Sequence, residues 1–244
     1  MCGLARAVPM SCEVIRTENF ISDAAGFILR QARAALAERG EFRLALSGGN
    51  TPRPVYSEFA RMAHDLPLEQ ALFTFGDERC VPPEHAESNF RMACESLFAP
   101  LSLPEKTILR MRGEIDPQLA AQEYEDQLTL LATQRGESIY RHDLLLLGLG
   151  DDGHTASLFA GTAALAEQTR KVVANFVPKF DSWRLTMTLP MINRARHVCF
   201  LVNSNKHAAL IQRVLGGDRA FPASQVKPAD GELTWILGEP KAKA

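Results

Sequence analysis

From Asn19 to Arg39 apolar residues recur at helical spacing, with Phe20, Ile21, Ala24, Ile28, Ala32, Ala35 and Leu36 on one stripe, and Gly40 supplies a stop. The period then changes. Phe42–Leu46 reads as a short strand ending in Ser47-Gly48-Gly49-Asn50-Thr51-Pro52, a turn that leads into a helix from about Pro54. Ala71–Phe75 predicts the next strand, and Ser88–Phe98 and Pro117–Gln134 predict helices. His142–Leu147 contains Leu144-Leu145-Leu146-Leu147, the unbroken apolar run of a strand buried on both faces. Lys171–Phe176, Leu185–Leu189 and His197–Val202 are further strand candidates. Lys206–Leu215 predicts a helix stopped by Gly216-Gly217, and Leu233–Leu237 a last strand. Pro100–Pro104 reads as a surface loop. Strands and helices alternate along most of the chain, so the expected class is α/β, a mostly parallel sheet flanked by helices on both faces. No repeat or linker divides residues 1–244, which read as one domain with residues 1–14 left open to disorder.

Composition narrows this picture only a little. With 244 residues, 46% hydrophobic and 23% charged, the chain has enough apolar material for a sizeable core. Its 27 basic and 29 acidic residues leave a net charge of −2, which gives no global attraction to nucleic acid or to a membrane surface. An anionic substrate therefore needs a local cluster of donors. The five cysteines, Cys2, Cys12, Cys80, Cys94 and Cys199, are odd in number and scattered, with no C-x-x-C pair. That pattern suits a reducing compartment, with the cytoplasm as the expectation, and argues against a disulfide framework or a zinc site. No stretch approaches the apolar length of a membrane span.

Ligands of such sheets bind outside the carboxyl ends of the strands, and unusual residues cluster at three of the predicted ends. In Ser47-Gly48-Gly49-Asn50-Thr51 the glycines admit close approach and aim N–H groups at an anion ahead of a helix, although neither a P-loop nor G-x-G-x-x-G is present. An ordinary glycine turn is the competing reading. Gly76-Asp77-Glu78-Arg79 puts three charges directly after an apolar strand, costly unless the end opens on a polar pocket. Asp77 is then a site residue and Arg79 an anion ligand; the plain alternative is a surface Glu78–Arg79 ion pair. Gly148-Leu149-Gly150-Asp151-Asp152-Gly153-His154-Thr155-Ala156-Ser157-Leu158-Phe159 joins two carboxylates and a histidine after the buried strand. His154 suits a general base, with a carboxylate to orient its ring. Ser157 lacks the G-x-S-x-G elbow and falls where a helix would have begun, which disfavours a serine nucleophile. A metal site stays open here, since Asp-x-His supplies two ligands, but no other His/Cys cluster joins them. His64, His85, His142, His197 and His207 are isolated and read as surface or packing residues. Arg184, opening the strand Leu185–Leu189, and Lys206, after the strand His197–Val202, read alone as solvated cations.

Taken together, the clusters resemble the 6-phosphogluconolactonase family. The residues that carry the resemblance are Leu46-Ser47-Gly48-Gly49-Asn50-Thr51-Pro52, Gly76–Pro83 with Ser88-Asn89-Phe90, Leu146–Phe159, and Arg184–Pro190 running into Asn193. Phe200-Leu201-Val202, Lys206, Pro222-Ala223-Ser224 and Gly231–Trp235 follow in the family's order, so that about Ile15 to Trp235 is covered. The chain departs from it at Asn203-Ser204, where Thr-Gly is frequent, and at Ala160, where Pro is frequent. The resemblance implies one α/β domain like that of glucosamine-6-phosphate deaminase, hydrolysis of the δ-lactone of 6-phosphogluconate, no metal or organic cofactor, and a monomer or weak dimer. It implies His154 as the residue that activates water with Asp152 beside it, and Arg79, Arg184 and Lys206 near the phosphate. Two other functions are expected to fail. An isomerase–deaminase of the same fold, with Asp77 as base, carries an acidic residue where Ser157-Leu158-Phe159 stand here. A non-catalytic sugar-phosphate sensor would bring a basic DNA-binding segment.

Overall fold

The computed structural model describes residues 12–203 and 208–240. Its centre is a six-stranded sheet in the order β1-β9-β8-β5-β2-β3, in which every pair is parallel. The strands are β1 (Cys12–Thr17), β2 (Phe42–Leu46), β3 (Ala71–Phe75), β5 (Leu144–Leu147), β8 (His197–Val202) and β9 (Glu232–Gly238). A second sheet, β4 (Asp77–Arg79), β7 (Ser182–Met187) and β6 (Val172–Val177), is antiparallel.

Alternation along the central strands sends successive side chains into two separate cores. Phe42, Leu44, Leu46, Phe73, Leu144, Leu146 and Cys199 face one of them. There α1 (Phe20–Arg39), α2 (Pro52–Met62) and α3 (Asn89–Ala93) supply Phe20, Ile28, Val55, Phe59 and Ala93. Ala45, Leu145, Leu147, Val198, Phe200 and Trp235 face the other, closed by α4 (Pro117–Thr133), by α7 (Ala208–Leu215) and by Leu185 and Met187 of β7. Two short helices, α5 (Ala163–Ala166) and α6 (Leu189–Ile192), flank β6 and β7. The expected α/β class and mostly parallel sheet between helices are therefore present. Among the described residues no helix is long and apolar enough to cross a membrane.

Four differences from the sequence reading bear on function. Cys12–Thr17, partly inside the stretch left open to disorder, pairs with β9 as an edge strand; most of its side chains are exposed, so no alternation announced it. Asp77–Arg79, read only as a charged cluster after a strand, is itself a strand. Arg184 lies inside β7, which ends at Met187. No helix begins at Ser157, because Thr155–Leu158 closes a tight bridge and the next helix starts at Ala163. The start of the expected helix Lys206–Leu215 lies outside the described residues.

The isolated histidines His142 and His197 are packing residues, 0% and 5% exposed. His142 is hydrogen-bonded to the Thr74 hydroxyl at 2.9 Å, and burial, then the charge of Arg43, push its imidazole down to about 3. The unfolded chain takes up a proton there as pH falls through about 6.5, whereas the folded chain does so only near 3. The contribution of neutral His142 is complete above that window and is lost progressively as pH falls across it. Urea unfolding should show a loss of about 2 kcal/mol between pH 7 and pH 5 from this residue. The pH slope of His142→Gln should be shallower by that amount; an equal slope would remove His142 from the acid sensitivity.

Candidate active site

The chain leaves β2 toward β3 on one side of the sheet and leaves β5 toward β8 on the other, so β2 and β5 flank a topological switch point, where ligands of open α/β sheets bind. A cleft of about 240 Å³ lies there. Its walls include the Ser47–Pro52 loop, Asp77 and Arg79, the Gly148–Gly150 and His154–Ala156 segments, Arg184 and Asn203. The structure thus brings together Ser47, Gly48, Gly49, Asn50, Thr51, Asp77, Arg79, His154 and Arg184 from four separate segments. Asp152 does not line the cleft but stands behind His154. Lys206 lies outside the described residues.

The first wall is the loop after β2. The Tyr56 hydroxyl accepts from the Ser47 N–H and donates to the Ser47 carbonyl, both at 2.9 Å, which pins the start of the loop to α2. Ser47 is 6% exposed, and its hydroxyl has no hydrogen-bond partner among the described residues. A Cβ at position 48 would stand 1.8 Å from Asn89 Oδ1, so only glycine fits between the loop and α3.

Asp77 sits where the chain passes from the parallel to the antiparallel sheet. The neighbouring Gly76 bonds both ways, its N–H to Leu46 at 2.9 Å and its carbonyl to Met187 N–H at 2.8 Å. Asp77 is 7% exposed. Its carboxylate accepts from the Ser157 hydroxyl at 2.7 Å and from the Asn89 amide at 3.2 Å. The adjacent Glu78 turns the other way, into α3. It accepts from Ser88 Oγ at 3.1 Å and from the N–H groups of Asn89 and Phe90 at 2.7 and 2.8 Å. Burial pushes its carboxyl above the usual range, against these backbone donors. Glu78 is therefore a buried helix cap, and the surface Glu78–Arg79 pair considered from sequence does not form.

Arg79 and Arg184 face each other across the β4–β7 ladder. Like charges directly opposite destabilise a strand pair. Both Nε atoms are buried without a partner among the described residues, and one Nη of Arg79 donates to the Glu87 carbonyl. Burial, then the charge of Arg79, push the Arg184 guanidinium below its usual range. Two adjacent cations with spare donors, in a cleft that also holds Ser47, make a site for a doubly charged oxyanion.

His154 forms the opposite wall. Its Nδ1 is 2.5 Å from Asp152 Oδ1, and its ring stacks on Phe159 at 4.1 Å between centroids. Lys179 Nζ donates to Asp152 Oδ2 at 2.7 Å. Burial works against ionisation of Asp152, but Lys179 and then the His154 ring hold its carboxyl well below the usual carboxylate range. An ionised carboxylate only accepts, so Nδ1 carries the proton, which in the neutral form of the ring leaves Nε2 bare. A Cβ at position 150 would come within 2.0 Å of the ring, so Gly150 makes room for it. Ser157 is no nucleophile in this arrangement: it is 0% exposed and its hydroxyl is engaged by Asp77. Lys179 and the role of Ser157 escape sequence reasoning, because each acts through a contact between distant segments. Only Asn89, beside the second cluster, was marked by its neighbours.

Comparison with known proteins places the chain in a family. The family model described as glucosamine-6-phosphate isomerases/6-phosphogluconolactonase matches residues 16–235. A 6-phosphogluconolactonase of Synechocystis sp. is 40% identical over 230 residues, covering 93% of this chain and 94% of its own. One from Homo sapiens is 37% identical over 227 residues, covering 90% and 87%. The solved structure of 6-phosphogluconolactonase from Trypanosoma cruzi superposes with a TM-score of 0.78 at 27% identity, covering 96% of this chain and 97% of that one. This chain belongs to the glucosamine-6-phosphate isomerase/6-phosphogluconolactonase family.

Proposed function

We propose that this chain hydrolyses 6-phospho-D-glucono-1,5-lactone to 6-phospho-D-gluconate, the lactone-opening step of the oxidative pentose phosphate pathway, with His154 as general base. The single observation that carries this reading is the cleft itself. It places a carboxylate-backed imidazole on one wall and a pair of under-partnered guanidiniums on the other. The relatives at 37–40% identity are named for this activity.

Water between Nε2 of His154 and the lactone carbonyl gives a proton to Nε2 as its oxygen bonds to C1. The carbonyl becomes an oxyanion, and the imidazolium that forms is stabilised by Asp152. Collapse of the tetrahedral species breaks the bond from C1 to the ring oxygen, which takes the proton back from His154. The product leaves as the open carboxylic acid, which releases its remaining proton to solvent and becomes the carboxylate, and the base is restored. N–H groups of Gly48 and Gly49 are donors for the oxyanion or for the phosphate. Arg79 and Arg184 hold the phosphate with the Ser47–Thr51 loop, and Lys206 joins them by resemblance to the family. Binding energy at the phosphate then orients the reacting ring. Asp77, fixed by Ser157 and Asn89, accepts from a sugar hydroxyl. The mechanism uses no metal or organic cofactor. The resemblance implies a monomer or weak dimer, and the free thiols of Cys12, Cys80, Cys94 and Cys199 suit the cytoplasm.

The test is initial-rate hydrolysis of freshly made lactone against an enzyme-free blank, with and without a metal chelator. Rate above the blank, insensitive to the chelator, is expected; ammonia release from glucosamine 6-phosphate instead would assign the chain to the deaminase side of the family. His154→Ala should lower kcat by about 10²–10⁴-fold with the fold intact, and a near-wild-type kcat would sink the assignment. Gly150→Ala, which crowds the ring, should lower kcat by about 10²-fold.

Arg184→Ala should act elsewhere, raising KM by about tenfold or more through loss of a charge-assisted bond, with kcat within about threefold. An unchanged KM would take Arg184 out of the phosphate site.

A further inference from the structure

We infer that Lys179, at the tip of the β6–β7 hairpin, is a positioning residue for the Asp152–His154 pair; the inference rests on His154 being the base. β6 and β7 pair continuously from Val172 opposite Met187 to Val177 opposite Ser182. The tip they carry, Pro178–Asp181, meets the Gly148–Phe159 loop. Asp181 holds the turn in the left-handed region, at φ 46°.

From this tip two neighbouring side chains reach the base. Lys179 Nζ donates to Asp152 Oδ2 at 2.7 Å, while Oδ1 takes the His154 ring at 2.5 Å and the His154 N–H at 3.2 Å. Each carboxylate oxygen therefore has its own partner, and the carboxylate plane is fixed. Without the ammonium, Oδ2 faces solvent and the carboxylate is free to rotate away from Nδ1. Phe180 meets Phe159 edge-on at 5.8 Å, and Phe159 is the ring on which His154 stacks. The Arg184 guanidinium lies over Phe180 at 4.8 Å, so the same tip also touches the anion-binding wall.

Stability does not account for Lys179. Its side chain is 54% exposed and that of Asp152 36%, and ion pairs so exposed contribute little to folding. The charged groups around the ring are Asp152 from its own loop and Lys179 from the hairpin, with Asp77, Arg79 and Arg184 lining the same cleft. Removing the ammonium leaves the Asp152 charge less compensated beside the ring, which favours imidazolium and moves the acid limb of the rate profile to higher pH.

The experiment compares Lys179→Met and Lys179→Arg, each alone and combined with Asp152→Asn, by kcat, KM, pH profile and Tm. Lys179→Met should lose about 10- to 100-fold in kcat, with KM within about threefold, Tm unchanged and the acid limb at higher pH. Lys179→Arg, which keeps the charge and a donor, should recover most of kcat. In the Asp152→Asn background Lys179→Met should cost nothing more, since the residue acts through Asp152. Wild-type kcat and pH profile in Lys179→Met, or its full effect persisting beside Asp152→Asn, would overturn the inference. The His154→Ala control separates the two claims. If that variant is inactive while Lys179→Met is normal, only Lys179 is removed; if it is fully active, the general-base reading falls first.

Discussion

The buried carboxylate of Asp77 is the constraint on which the site depends. It stands where the parallel sheet hands the chain to the antiparallel one, and its two oxygens take the Ser157 hydroxyl and the Asn89 amide. Through Ser157 it reaches the loop after β5, whose backbone is tied in turn to Thr186 of β7 and Asn175 of β6. Through Asn89 it reaches α3 and the glycine at position 48, which leaves space for that amide and nothing larger. Three strand-end loops and two sheets therefore share one anion. A bond to a charged group contributes about 1.5–3 kcal/mol when its loss leaves that charge buried, so the loops hold each other in place.

That constraint separates the chemistry into two walls. The loop after β5 carries the base, and the β4–β7 ladder carries the arginines. The side that faces the base carries unspent interactions: opposed guanidiniums repel, and Ser47, in the loop after β2, keeps a hydroxyl without a partner among the described residues. On the proposed reading a phosphate bound there relieves both, so its binding draws on free energy that the fold has left unused. The imidazole needs a different environment, and it has one in Phe159 on its face and Asp152 at its Nδ1. On the proposed mechanism, water activation and phosphate binding fall to separate residues within one cleft.

Much of this was legible in the sequence, for identifiable reasons. Buried parallel strands such as Leu144–Leu147 write unbroken apolar runs, and their carboxyl ends can be marked by glycines and charges that no core would accept. The Ser47, Asp77 and His154 clusters were visible on that ground. Strands near β6 and β7 were expected, but their joining with β4 in a separate antiparallel sheet was not, because β4 is three residues long and all of them charged, so it has no hydrophobic period. Its existence is set by pairing with a segment a hundred residues away, and with it the meeting of Arg79 and Arg184. The edge strand β1 was equally silent, since its exposed side chains carry no alternation. Lys179 belongs to the same class: an exposed lysine after a proline looks like any solvated cation until its partner is known. Glu78 is the converse case, a charge beside the site that turned out to cap a helix.

The central claim is that the resting enzyme presents a neutral His154 with Nε2 free to take a proton from water. Nitrogen-15 NMR of the histidine rings, with His154 assigned by its loss in His154→Ala, tests this directly. Above neutral pH the His154 ring should show a protonated Nδ1 and a pyridine-type Nε2. A pyridine-type Nδ1 with the proton on Nε2 would contradict the account, because the base would then face Asp152 and not the lactone.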